Sequence, residues 1–91
     1  MIVKYSPRFL TLLKKKVDVR IRKSLKERIA IFIQNPNDRE LNNHPLRDKY
    51  VGYRSIDITA DWRAIFEEIQ IGENTVAYFI GLGTHEELYG N

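Results

Sequence analysis

The sequence predicts an α+β fold: an N-terminal strand, two antiparallel helices packed on one face of a mainly antiparallel sheet, and a three-strand meander ending in a short helical turn (β-α-α-β-β-β). Three features carry that expectation. Apolar residues recur at helical spacing up to Ile33, the spacing changes to alternation after Gly52, and residues with capping or turn chemistry stand at the joins.

Met1 to Tyr5 is β-branched and aromatic enough for a short strand. Ser6 then offers an N-cap oxygen, and Pro7 a φ already set for the first helical position. Phe9, Leu12 and Leu13 share one face of the helix that follows, and Lys14, Lys15 and Lys16 fill its last turn, where the dipole favours cations. Asp18 can cap a second helix, in which Ile21, Leu25, Ile29, Phe32 and Ile33 recur at helical spacing. Asn35-Pro36 ends it, because proline disfavours α geometry in the residue before it.

Pro36 to Gly52 is polar and turn-rich and reads as a long loop interrupted by His44-Pro45-Leu46. Such loops are uncommon in small domains and often functional. Beyond it, Arg54, Ile56 and Ile58 alternate with Tyr53, Ser55 and Asp57. A turn at Thr59-Ala60-Asp61, a strand from Trp62 to Ile69, a turn at Gly72-Glu73-Asn74 and a strand from Thr75 to Leu82 complete the meander. Val76, Tyr78, Ile80 and Leu82 are expected on one face of that last strand. Thr84-His85-Glu86-Glu87 has the form of a capping box, which places His85 first in a terminal helix.

A length of 91 residues leaves room for one domain, 1–91. With 43% hydrophobic and 30% charged residues, composition argues against disorder. No apolar run approaches the ~18 residues of a membrane span, and no signal-peptide pattern opens the chain, so a cytoplasmic protein with no membrane partner is expected. The absence of cysteine excludes a disulfide framework, a thiol nucleophile and a Cys-type zinc site. His44 and His85 are far apart with no metal-binding spacing, and Gly81-Leu82-Gly83 has no dinucleotide-binding unit behind it. No metal or cofactor is expected. Charge is graded along the chain: residues 1–35 carry ten Lys or Arg against Asp18 and Glu27, residues 36–63 are balanced, and residues 64–91 carry five Glu and no cation. A basic surface suits a polyanion or an acidic partner, though lysines and arginines also simply solvate helices.

The meander is expected to gather Asp57, Asp61, Trp62 and Arg63 beside the end of the last strand, where His85 and Tyr89 emerge. His44, Arg47, Lys49 and Arg54 enter from the loop and the first meander strand. RNA cleavage by side chains alone requires such a mixture: a base for the 2′-hydroxyl, an acid for the leaving oxygen, cations for the phosphorane and aromatic faces for an unstacked base. Each member also has a plainer role. A histidine beside a proline often only forms hydrogen bonds, aspartates at hairpins form turns, and Trp62 and Tyr89 can be core-edge anchors.

His44-Pro45-Leu46, Tyr53-Arg54, Asp61-Trp62 and Gly83-Thr84-His85-Glu86-Glu87-Leu88-Tyr89, in register from about residue 41 onward, resemble the YafQ-like branch of the RelE/ParE toxin superfamily. The resemblance implies a toxin of a toxin–antitoxin pair that cuts mRNA in the ribosomal A site through 2′-hydroxyl attack. It implies His44, Asp61 and His85 at acid–base positions, with His85 as general acid and Asp61 or His44 as base. It further implies Tyr89 closing the site, Arg54 as a phosphate contact, and basic helices toward ribosomal RNA. A cognate antitoxin wrapping the helices and sheet edge, and a toxin–antitoxin heterotetramer, are the expected partners.

The chain departs from that pattern at two positions: Asp57 stands where a histidine is common, and Gly81 where an arginine is common. Asp57 is then either a working base or an ion-pair partner, and Arg63 is expected to substitute in part for the missing cation. Two other functions stay open: a toxin-fold protein without nuclease activity that binds or regulates through its antitoxin, and a ParE-like gyrase inhibitor.

Overall fold

Two side-chain caps set the helical layer. In the computed structural model, which describes residues 1–90, the Ser6 hydroxyl accepts from the Phe9 amide at 3.0 Å and starts α1 (Pro7–Lys16) after β1 (Ile2–Tyr5). The Asp18 carboxylate does the same for the Ile21 amide at 3.0 Å and starts α2 (Val19–Gln34). Arg22, one turn into α2, donates to the Leu13 and Lys14 carbonyls at 3.1 Å. A cation on the open carbonyls that end a helix satisfies them and complements the dipole. It fixes the two helices as a pair.

The segment expected as a long loop is more ordered than that. It holds single 3₁₀ turns at Arg39–Leu41 and Asp48–Tyr50, and between them a two-residue strand, β2 (His44–Pro45). β3 (Arg54–Asp57), β4 (Trp62–Ile71) and β5 (Asn74–Thr84) form the meander, and α3 (His85–Tyr89) follows. The sheet order is β1-β5-β4-β3-β2, antiparallel except where β1 runs parallel to β5. Gly72, at φ 62°, makes the tight two-residue turn between β4 and β5, a conformation for which glycine carries no Cβ penalty.

The core lies between this sheet and the helices. Phe9, Phe32, Phe66 and Phe79 are fully buried and interlock, with Phe32–Phe66 and Phe66–Phe79 centroids at 5.0 Å and Phe32–Phe79 at 5.5 Å. Ile56, Ala64, Ala77 and Leu82 join them. Val76, Tyr78, Ile80 and Leu82 do not share one face of β5. Ile65 pairs with Gly81 but Phe66 with Phe79, so Ile80 is an extra residue on β5, and the alternation changes phase there. Ala77 and Phe79 meet the helices before the bulge and Leu82 after it. Among the described residues, no helix is long and apolar enough to cross a membrane.

Candidate functional site

Strand alternation sorts the remaining polar residues. Paired residues share a face, so His44, Ser55, Ile65 and Gly81 form one row on the side away from the core, with Asp57, Arg63 and Gly83 in the next. α3 folds back over this side. Its start is a complete capping box: the Glu87 amide donates to the Thr84 hydroxyl at 3.1 Å, and the Thr84 amide donates to Glu87 Oε1 at 2.9 Å. The His85 amide donates to the Asp61 carbonyl at 2.9 Å. Glu87 is also paired with Lys16 of α1, at 3.5 Å. The Thr84 amide donating to its carboxylate holds Glu87 below the usual carboxylate range; slight burial opposes this and Lys16 adds to it. At Gly83 a Cβ would stand 3.2 Å from Glu87 Oε1 and 3.4 Å from Leu88 Cγ, a tight fit that these side chains meet only by shifting slightly.

Between α3 and β2 lies an open cleft of about 370 Å³ whose lining includes Asn42, His44, Arg47, Arg63, His85 and Tyr89. His44 Nδ1 lies 2.6 Å from the Asn42 carbonyl oxygen. A carbonyl can only accept, so Nδ1 carries the proton and Nε2 is left as the basic nitrogen of the neutral ring. Asn42 holds its carbonyl there in the left-handed region, φ 49° and ψ 46°, which asparagine tolerates better than most residues. Its side-chain amide donates to Asp57 Oδ2 at 3.4 Å. Across the cleft the His85 ring packs edge-on against Tyr89, centroids 4.7 Å apart, and Tyr89 meets Tyr50 at 5.8 Å. The Tyr89 hydroxyl donates to the buried Ser55 oxygen at 3.2 Å. One imidazole with a free basic nitrogen and a second imidazole thus line the same space, an arrangement able to take a proton at one point and deliver one at another.

Several residues expected at the site do other work. Arg63 Nη1 donates to the Thr59 and Trp62 carbonyls at 2.9 and 3.0 Å, Nη2 to the Ala60 carbonyl at 3.1 Å, and Nε lies 3.0 Å from Asp57 Oδ1. Three of the five donors of the guanidinium are hydrogen-bonded within the turn between β3 and β4 and Nε is in ion-pair contact with Asp57, so Arg63, expected to stand in for a missing cation, is held in the turn. Asp57 is accordingly an ion-pair partner whose Oδ2 accepts from Asn42, while its buried Oδ1 accepts no hydrogen bond among the described residues. Arg54, expected as a phosphate contact, shares the helix-side row with Ile56 and donates to the Asn43 side chain at 2.8 Å. Trp62 also lies on the helix side, packed against the core edge, and offers no face to the cleft. Lys49 sits 5.4 Å over the Tyr50 ring. Asp61 is exposed and reaches His85 through its main-chain carbonyl. Asn42, Ser55 and Tyr50 contribute more than their sequence context indicated. The one available signal was Asn42-Asn43 before His44-Pro45, a pair suited to left-handed turn geometry. Among the described residues, no three His, Cys, Asp or Glu side chains gather as a metal site.

No protein-family model and no curated protein matches the chain. Solved structures do. YafQ from E. coli strain BL21(DE3) superposes with a TM-score of 0.70 at 26% identity, over 97% of this chain and 97% of that one. The YoeB/ParE toxin from Agrobacterium tumefaciens gives 0.73 at 20% identity, over 93% and 99%. The E. coli DinJ–YafQ complex gives 0.65 at 25% identity, over 97% of each chain. With its β-α-α-β-β-β order, five-stranded sheet and short terminal helix, the chain has the RelE/ParE-like toxin fold, YafQ-like members included.

Proposed function

We propose that this chain is the toxin of a toxin–antitoxin pair and that it cuts ribosome-bound mRNA by acid–base chemistry of its own side chains. The observation that carries this reading is the 2.6 Å contact of His44 Nδ1 with the Asn42 carbonyl oxygen. Nδ1 is fixed on the Asn42 carbonyl, so Nε2 is the basic nitrogen left to act in a cleft that His85 also lines. In the reaction, Nε2 of His44 takes the 2′-hydroxyl proton as that oxygen attacks the adjacent phosphorus. The bond from phosphorus to O5′ breaks, and protonated His85 delivers its proton to O5′. The products are a 2′,3′-cyclic phosphate and a 5′-hydroxyl. Tyr89 steadies the His85 ring and is itself tethered to Ser55. Asp57 and Asn42 orient His44 and move no proton. The basic helices suit ribosomal RNA, and the DinJ–YafQ complex, a toxin–antitoxin pair by its description, supports a cognate antitoxin as partner.

A second reading has its own support. Gly81 presents no side chain and Arg63 is tied into its turn, which favours a toxin-fold protein without nuclease activity. Expression without an antitoxin separates the two. Growth arrest with transcripts cleaved on the ribosome, abolished in His44→Ala and His85→Ala, is the expected result. No arrest favours the inactive partner, and arrest with DNA damage a gyrase inhibitor.

A further inference from the structure

The proposed reaction leaves one requirement unmet. As the 2′-oxygen attacks, the phosphorane gains a negative charge before the P–O5′ bond breaks, and neither histidine offsets it on the non-bridging oxygens. A cation there is among the largest contributions available to such a site. The cleft lining holds two guanidinium groups, Arg47 and Arg63. Arg63 is held by three carbonyls and Asp57. Arg54 points to the helix side, and Gly81 has no side chain to offer.

Arg47 differs on every count. It is exposed and lines the cleft, and among the described residues its side chain has no hydrogen bond or ion pair. Its backbone is nonetheless pinned. The Leu46 amide donates to the Tyr53 carbonyl at 3.0 Å, which extends the β2–β3 pairing by one step, and the Arg47 carbonyl accepts from the Tyr50 amide at 3.0 Å. Three positions after His44, the guanidinium therefore springs from a fixed point beside the base. Nothing in the fold needs its charge there. A planar fork with five donors matches two oxygens of one phosphate, as a lysine ammonium does not.

We propose that Arg47 is a catalytic residue, whose guanidinium contacts the non-bridging oxygens of the scissile phosphate and offsets the charge that develops during 2′-hydroxyl attack. This rests on the ribonuclease reading above and adds to it the group that stabilises the transition state. The test is single-turnover cleavage of mRNA on programmed ribosomes by the full chain, with thermal melts of each variant. Arg47→Ala is expected to lower the cleavage rate about 10²- to 10³-fold with little change in half-saturation, at an unaltered melting temperature. Arg47→Lys is expected to recover part of the loss, since it restores a point charge without the fork. If Arg47→Ala cuts within threefold of the parent rate while His85→Ala is inactive, the assignment of Arg47 is wrong and the acid–base reading stands. If His44→Ala and His85→Ala also cut at the parent rate, both fall together.

Discussion

Replacing Arg63 with methionine keeps most of the aliphatic stem and removes the guanidinium, with its three carbonyl contacts and its ion pair, from the turn between β3 and β4. The side chains of Arg63 and Asp57 are 16% and 27% exposed, so the pair is neither a surface ion pair, worth about 0–1 kcal/mol, nor a fully buried one, whose disruption costs about 3–5 kcal/mol. Losing the pair leaves Asp57 charged and mostly covered, and the Thr59, Ala60 and Trp62 carbonyls must find water instead. A loss of about 3 kcal/mol is expected, which for 91 residues lowers the melting temperature by about 15 °C. The double variant Asp57→Asn/Arg63→Met recovers about 1–2 kcal/mol, because the uncompensated carboxylate is gone. Trp62, the single tryptophan, adjoins the turn, so urea melts followed by its emission alongside circular dichroism give both numbers. A drop under about 5 °C for Arg63→Met, or a double variant no more stable than the single, refutes the assignment of Arg63 to the turn.

Gly83→Ala puts a methyl against Glu87 Oε1 and Leu88, and is expected to cost about 1 kcal/mol by disturbing the α3 cap, with amide exchange accelerating from His85 to Leu88. Tyr89→Phe keeps the contact with the His85 ring but leaves the buried Ser55 hydroxyl without its donor; a loss of about 1 kcal/mol by urea melt is expected, and Tyr89→Phe/Ser55→Ala recovers part of it. Glu87 has its folded pKa depressed below the unfolded value, so its contribution is complete above pH 4.5 and is lost as the pH falls through the folded value. Protection factors of the α3 amides, taken against the unstructured-peptide rate at each pH, are therefore expected to fall below pH 4.5 ahead of those of the core, and Glu87→Gln to abolish that early step.

What the residues announced and what they concealed divide along physical lines. Ser6, Asp18 and Thr84 act on amides three residues ahead, so each cap can be read from a short stretch of sequence, and each stands where expected. The order of the longer strands and helices followed from such local signals. Arg54 was legible too: its alternation with Ile56 already placed it on the apolar side, against its expected role as a phosphate contact. Arg63 was not, because its partners are main-chain carbonyls, which every residue carries. β2 escaped notice because two residues, one of them proline, are too few to show a period. Histidines 44 and 85 were visible as candidates, but the bond that sets the His44 tautomer comes from the backbone of Asn42 and has no sequence signature.

The supernumerary Ile80 divides β5 into two stretches that obey opposite parity. A tolerance scan should find odd positions intolerant at 77 and 79, then an even one at 82. Deleting Ile80 would turn the distal stretch inside out, sending Leu82 to solvent and Gly81 and Gly83 toward the phenylalanines. One surplus isoleucine is thus what lets a single strand serve as a wall of the interior at one end and as the bed on which α3 lies at the other.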